Sequence, residues 1–306
     1  MTKRTKAVLA VILTYVMLTG VTACGEVPVE TISSKATAAA ADGTTTAETS
    51  TISSETQVLS LSGSLTLTGS TSMADVTTAL AEAFMAVNRD VIVSVGGNGS
   101  GEGPTAVNDG TAQIGLLSRD LKEQENAAAF DKYIIGFDGI AVIVNSASGV
   151  DSLTADQITR IFKGEITNWK DVGGTDAKIQ CIGREAASGT RGAFEELMKI
   201  KDAVVYAEEQ NSTGNVKQAV SSNPNAIGYV SLSAIDNTIV AVKLDGVVPS
   251  EENVKSGDYT LQRPFLMITK SGTSDSLATA FLDYVFSDAG MKIVADDGIV
   301  PNPGKN

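Results

Sequence analysis

Residues 178–198 read KIQCIGREAASGTRGAFEELM and spell a strand, a turn and a helix in succession. Lys178 to Gly183 is an apolar-rich run of strand length, with Cys181 as a packing residue inside it. Arg184-Glu185-Ala186-Ala187-Ser188-Gly189-Thr190-Arg191 is small, hydroxyl-bearing and basic at both ends. Ala193, Phe194, Leu197 and Met198 then fall at helical spacing. A strand that feeds directly into a helix is the unit of α/β layers, in which helices cover a mainly parallel sheet.

The same unit recurs on both sides. Towards the N-terminus, Leu65-Thr66-Leu67-Thr68 reads as a strand and Gly69-Ser70-Thr71-Ser72 as its turn. Met73, Val76, Leu80, Ala83, Phe84 and Val87 mark the helix that follows. Val91 to Val95 is the next strand, and the glycine-rich run Gly96 to Gly103 comes after it. Ala112 to Leu116 and Ile140 to Val144 read as buried strands. Further on, Thr154 and Gln157 stand in capping-box register ahead of Ile158, Ile161 and Phe162. Ala226 to Val230, Ile239 to Val242 and Phe265 to Ile268 complete the strands, and Leu277, Phe281 and Val285 a last helix. No internal repeat is present.

Three of the turns share a composition: Gly69-Ser70-Thr71-Ser72, Gly97-Asn98-Gly99-Ser100-Gly101, and Arg184 to Arg191. Each puts small residues and hydroxyls where a helix begins. There the first N–H groups lack intrahelical partners and the macrodipole is positive, which suits an anion. For any one turn, ordinary capping and turn chemistry explain the residues as well. Three of them at strand ends, one carrying arginines, point to a ligand site, because open α/β sheets bind ligands there. The alternative for Arg184 and Arg191 is surface pairing with Glu185, Glu195 or Glu196.

Composition narrows the chemistry. The 306 residues include no histidine, so histidine triads, histidine zinc sites and histidine bases are excluded, and neither cofactor nor metal is expected. Lys3, Arg4 and Lys6 precede the uncharged apolar run Ala7 to Thr19, which is too short to span a membrane and reads as a signal peptide. Val21-Thr22-Ala23-Cys24 resembles a bacterial lipobox, in which Cys24 is lipidated; an ordinary secretory signal is the alternative. With Cys24 acylated, Cys181 has no partner for a disulfide. Residues 24–61, rich in Ser, Thr and Ala, read as a flexible tether. Losing residues 1–23 removes three positive charges and moves the formal net charge from −13 to −16. Such a protein is a poor partner for nucleic acid. Any anion site in it must be built from local donors.

Arg184-x-x-x-Ser188-Gly189-Thr190 resembles the phosphate-contacting turn of the phosphate-binding proteins that serve the phosphate-specific ABC importer. Leu153 to Ile158, Ile161 to Trp169 and Ala226 to Val230 are similar to other segments of that family, and the likeness runs from about Leu65 to the C-terminus. The resemblance implies a two-lobed periplasmic-binding-protein type II fold, each lobe a mainly parallel sheet flanked by helices, joined by two hinge crossovers. It divides the chain into 62–144 and 240–306 for lobe 1 and 145–239 for lobe 2. It implies phosphate contacts from Thr71, Ser72, Ser100, Ser118, Arg119, Arg184, Ser188, Gly189 and Thr190. It further implies a monomeric, non-enzymatic lipoprotein on the extracytoplasmic face of the bacterial cell membrane, with permease and ATPase subunits as partners. One departure stands out: many family members carry an aspartate where this chain has Ser118, followed by Arg119 and Asp120. A hydroxyl both donates and accepts, so no carboxylate is there to reject a fully deprotonated oxyanion. Sulfate or molybdate is the alternative ligand. A hydrolase using Ser188 or Ser70, and an adhesion or sensor module on the same fold, are readings from other classes.

Overall fold

The computed structural model describes residues 61–305. The expected signal peptide, Cys24 and all of the expected tether except its last residue lie outside them. The order begins β1 (Ser62–Gly69), α1 (Ala74–Val87), β2 (Asp90–Gly96), α2 (Glu102–Asp109), β3 (Ile114–Leu117) and the long β4 (Phe130–Val144). It continues β5 (Ser152–Leu153), α3 (Ala155–Phe162), β6 (Gln180–Arg184), α4 (Gly189–Leu197), β7 (Glu208–Gln210), α5 (Thr213–Ser222) and β8 (Ala226–Ser231). Then come β9 (Val240–Ala241), β10 (Lys243–Leu244), α6 (Glu251–Ser256), β11 (Gln262–Lys270), α7 (Ser276–Val285), α8 (Asp288–Asp296) and β12 (Val300–Pro301).

Local chemistry explains where these elements start. In α1, Val76, Leu80 and Phe84 recur every four residues and bury one stripe, with Phe84 edge-on to Phe281 at 5.3 Å between ring centroids. The capping box of α3 is formed as the sequence suggests: Gln157 N–H donates to Thr154 Oγ1 at 3.1 Å, and Thr154 N–H donates to Gln157 Oε1 at 2.8 Å. Ser188, Ser212 and Ser250 cap α4, α5 and α6 by the simpler half of that arrangement, each side-chain oxygen accepting from the third helical N–H.

The main sheet runs β2-β1-β3-β11-β4-β8-β6-β7, with β9 and β12 also on β4. β1 is parallel to β2 and β3, and β6 is parallel to β7 and β8, so the strands that feed helices are parallel on both sides. β4 and β11 are antiparallel to their neighbours. β4 is shared: Phe130–Gly139 pairs with β11, and Ile140–Val144 pairs with β8.

Two cores flank this shared strand. The first gathers Leu67, Leu80, Phe84, Leu116, Phe265, Met267 and Phe281. The second gathers Val142, Phe162, Trp169, Phe194 and Tyr229. Ile140, Val142 and Val144 belong to the second core, and so do Val242, Leu244, Val254, Tyr259 and Leu261. The structure thus packs residues 140–144 and 242–261 with the second half, where the sequence reading put them with the first. The physical cause is the register of β4, whose last five residues pair with β8 and carry the later segment with them.

Candidate functional site

Arg184 ends β6 with its side chain buried, and four contacts fix it. Its backbone N–H donates to Tyr229 Oη at 3.3 Å, and its carbonyl accepts from Arg191 Nη1 at 2.7 Å. Its Nε and Nη2 donate to the two oxygens of Glu185, each at 2.8 Å. Tyr229 is itself locked, stacked on Phe194 at 4.2 Å and bonded to Tyr206 Oη at 2.8 Å. Burial pushes the Tyr229 and Tyr206 phenols upward, so both stay neutral. The segment around Tyr229 therefore positions the arginine, and Trp169, fully buried in the second core, is packing.

Further N–H groups of the Arg184 guanidinium reach hydroxyls. Nη2 donates to Thr71 Oγ1 at 3.1 Å, and Nη1 donates to Thr213 Oγ1 at 3.2 Å. Ser72 Oγ lies 2.8 Å from Thr190 Oγ1 and 2.9 Å from Thr213 Oγ1. Thr71 and Ser72 follow β1 in the first half, whereas Arg184 ends β6 and Thr190 and Thr213 follow β6 and β7 in the second. The strand ends of the two halves therefore meet.

A second group completes the cluster. Ser70 Oγ donates to Ser118 Oγ at 2.9 Å, Ser118 N–H donates to Ser100 Oγ at 3.0 Å, and the Ser100 and Ser118 hydroxyls are 3.2 Å apart. A Cβ on Gly189 would collide with Ser100 Oγ and stand 2.6 Å from Ser118 Oγ, so only glycine lets α4 come this close. Gly97, at φ +131°, packs its backbone on Gly69 where a side chain has no room. Gly101 N–H donates to the Ala187 carbonyl at 3.0 Å, tying the two turns across the cleft. Ser188 is buried, and its Oγ accepts from Arg191 N–H at 3.2 Å. The first amides of α4, at Gly189 and Thr190, have no intrahelical partner.

Behind Thr190 stands a buried ion pair. Arg263 of β11 donates from Nε and Nη2 to Asp138 Oδ2 at 3.1 and 2.9 Å. Its Nη1 donates to Thr190 Oγ1 at 2.7 Å and to the Ser118 carbonyl at 3.2 Å. Asp138 Oδ1 also accepts from Ser231 Oγ at 2.7 Å and Leu232 N–H at 3.2 Å. Desolvation raises the Asp138 pKa, and Arg263 together with these bonds opposes the shift. Burial lowers Arg263 while Asp138 opposes it.

Of the residues expected from the sequence, Thr71, Ser72, Ser100, Ser118, Arg184, Ser188, Gly189 and Thr190 come together. Arg119 lies beside the cluster and outside its hydrogen-bond network. Its guanidinium grips Glu125 at 2.7 and 2.8 Å and the Asp120 carbonyl at 2.7 Å, while Asp120 itself is exposed. Arg191 pairs with Glu195 and Glu209 and serves the backbone of Arg184. Sequence reasoning missed Thr213, Arg263 and Asp138. Asn211-Ser212-Thr213-Gly214 has the hydroxyl-and-glycine composition of the other turns, and Asp138 and Arg263 are charges set inside apolar runs.

Seven hydroxyls (Ser70, Thr71, Ser72, Ser100, Ser118, Thr190 and Thr213) share five hydroxyl–hydroxyl contacts, so at least two of their protons find no acceptor within the group. No carboxylate oxygen bonds to any of these hydroxyls among the described residues, because Glu185 and Asp138 are taken up by Arg184 and Arg263. The cluster is rich in donors and close to neutral in charge. Among the described residues neither Ser70 nor Ser188 has a lysine or carboxylate bonded to its hydroxyl, the arrangement that activates a serine nucleophile. An open cavity of about 500 Å³ lies elsewhere in the first half, lined by Gln113, Asp131, Lys270 and Asp275. It shares no residue with the cluster.

The family model for the PBP superfamily domain matches residues 34–289. The phosphate-binding protein PstS of Bacillus subtilis is 37% identical over 249 residues, covering 78% of this chain and 81% of that protein. PstS of Pseudomonas aeruginosa is 31% identical over 274 residues, covering 80% of this chain and 85% of that protein. A Clostridium perfringens structure solved with bound phosphate superposes with a TM-score of 0.76 at 39% identity, covering 78% of this chain and 100% of that one. An ABC-type phosphate transport receptor from Vibrio cholerae gives 0.66 at 35% identity, with the same coverage.

Proposed function

The chain belongs to the PstS-type phosphate-binding proteins of the PBP superfamily, and from that premise we propose that it is an extracytoplasmic receptor that encloses inorganic phosphate between two lobes for an ABC importer. It is a binding protein and not an enzyme. The observation that carries the reading is the surplus of buried hydroxyl protons around Arg184, in a cluster without a carboxylate acceptor. Such a surface is complementary to an anion rich in acceptor oxygens, and a hydroxyl such as that of Ser118 can also accept from a protonated phosphate oxygen. Taking a divalent anion out of water without replacement bonds is prohibitive. Donors to a charged group contribute roughly 1.5–3 kcal/mol each, so five to eight of them offset desolvation and lobe closure and leave the roughly 8 kcal/mol of micromolar binding.

In this reading Thr71, Ser72, Ser100 and Ser118 serve from one lobe, and Arg184, Ser188, Gly189 and Thr190 from the other. Arg119 stands next to them, held by Glu125. The lobes are residues 62–139 with 262–301, and residues 140–261. The near-neutral charge of the cluster fits a protein of formal net charge −13, since oriented dipoles do what a positive field cannot do here. The protein acts as a monomer anchored through lipidated Cys24 and delivers its ligand to permease and ATPase subunits. Cys24→Ser tests the anchor: the variant leaves the membrane fraction with phosphate binding unchanged, and a variant that stays in it overturns the lipobox.

Ser118 in place of an aspartate favours a second reading, a receptor for tetrahedral oxyanions in general. A thermal-shift screen against phosphate, arsenate, sulfate and molybdate between pH 5 and 9 separates the two. Phosphate receptors respond most to phosphate and arsenate. An equal response to sulfate at every pH establishes the broader reading, and no response to any of the four removes both.

A further inference from the structure

We propose that Thr213 is a further anion-binding residue, contributed by a fourth strand-to-helix turn; this rests on the phosphate-receptor reading. β7 lies parallel to β6 with Gln210 beside Arg184, so the turn after β7 opens at the same sheet end as the Arg184 turn. Thr213 is the first residue of the ten-residue α5, and Ser212 caps that helix by accepting from Asn215 N–H at 3.1 Å. The Thr213 side chain is thereby free of capping duty. It is 5% exposed and turned into the cluster.

The hydrogen bonds narrow where its proton can point, to Ser72 or out of the row but not to Thr71. Thr71 Oγ1 accepts from Arg184 Nη2 and from Thr213 N–H at 3.3 Å, which fills both of its lone pairs. Thr213 Oγ1 accepts from Arg184 Nη1. Thr190 Oγ1 accepts from Arg263 Nη1. Guanidinium N–H groups thus feed both ends of the row Thr71, Thr213, Ser72, Thr190. The four hydroxyls have four protons and only three mutual contacts, so at least one proton is left to donate outside the row. Arg184 gives one N–H to Thr71 from Nη2, which also serves Glu185, and one to Thr213 from Nη1, so both threonines are held by the same guanidinium. A threonine placed only for packing has no need of a guanidinium. Thr213 therefore gives the second half a donor beyond those of the Arg184 turn.

Calorimetric titration of the full chain with inorganic phosphate tests this in wild type, Thr213→Ser and Thr213→Val, with urea denaturation of each without phosphate. The valine variant loses affinity by about 10- to 100-fold, the range of one hydrogen bond to a charged ligand, and the serine variant stays within about threefold. Thr213→Ala replaces the valine variant if that one does not fold. Valine affinity equal to wild type overturns the proposal, and so does a serine variant as weak as valine. A crystal grown with phosphate supplies the direct readout: Thr213 Oγ1 lies about 2.7 Å from a phosphate oxygen, and a hydroxyl bonded only to Thr71 and Ser72 refutes the contact. Wild type that binds no phosphate fails the receptor reading itself, a result distinct from these.

Discussion

Replacing Arg263 with methionine removes a buried cation whose partner cannot escape. Asp138 has no exposed surface, and it keeps only Ser231 Oγ and Leu232 N–H once the two guanidinium bonds are gone. Breaking one side of such a pair costs about 3–5 kcal/mol, because the remaining charge is buried without compensation. That is a large part of a typical domain's stability. The double variant Arg263→Met with Asp138→Asn removes the stranded charge, since asparagine still accepts from Ser231 and Leu232 through its carbonyl. It recovers all but about 1–2 kcal/mol. The pH dependence has a definite sign. Desolvation already raises the Asp138 pKa and Arg263 opposes the rise. Without the arginine the folded-state pKa climbs further above the unfolded value. The penalty of the single variant is therefore full at high pH and shrinks as pH falls through that raised value, where the carboxyl takes up a proton. Urea denaturation followed by circular dichroism at pH 8 and pH 5, without phosphate, reads both effects. A single variant no less stable than the double, or one equally destabilised at both pH values, refutes this account of the pair.

Gly189→Ala puts a methyl group onto Ser100 Oγ and near Ser118 Oγ. It weakens phosphate binding at least tenfold, about 1.4 kcal/mol, while the unliganded protein unfolds at nearly the wild-type urea concentration; unchanged affinity means the two turns do not need this approach. Asp297 has a pKa raised to about 6 by burial and by the nearby Asp75 and Asp138, and its Oδ2 is buried without a partner. An acid with a raised folded pKa loses stability as pH climbs from about 4 through 6. After discounting for solvent screening this amounts to about 1–2 kcal/mol. Asp297→Asn is therefore more stable than wild type at pH 7.5 and equal to it near pH 4, and a variant that gains nothing at pH 7.5 contradicts the assignment.

The elements that the sequence made legible are those with strong periodicity and unmixed environments. The stripe of α1, the capping box of α3 and the apolar run of β8 each declare themselves locally. β7 is three polar residues, Glu208–Gln210, paired among the described residues with β6 alone, and nothing in its composition distinguishes it from a loop. Missing β7 hid the turn that carries Thr213. Only the second portion of β4 was visible, because its first ten residues include Asp131, Lys132 and Asp138, and Asp138 is tolerated in a strand interior only because Arg263 pairs with it from β11. That dependence also explains the misplaced segment 242–261: which core it joins is decided by where β4 changes partner, a long-range fact. Within the cleft, residues in hydroxyl-rich turns were readable from helix-terminus chemistry. Arg119 was not, because its capture by Glu125 six residues on depends on the fold of the intervening loop.

The most direct measurement is calorimetric titration of phosphate into wild type, Arg184→Ala and Lys163→Ala. Among the described residues Lys163 pairs with Glu165 alone, at the surface, whereas Arg184 donates to Thr71 and Thr213 at one end of the hydroxyl row. One phosphate binds per wild-type chain with micromolar or tighter affinity, Lys163→Ala matches it, and Arg184→Ala loses at least about 100-fold, some 2.7 kcal/mol. Equal affinities for the two variants, or wild type that takes up no phosphate, would contradict the claim that buried donors around Arg184 replace the water of an oxyanion.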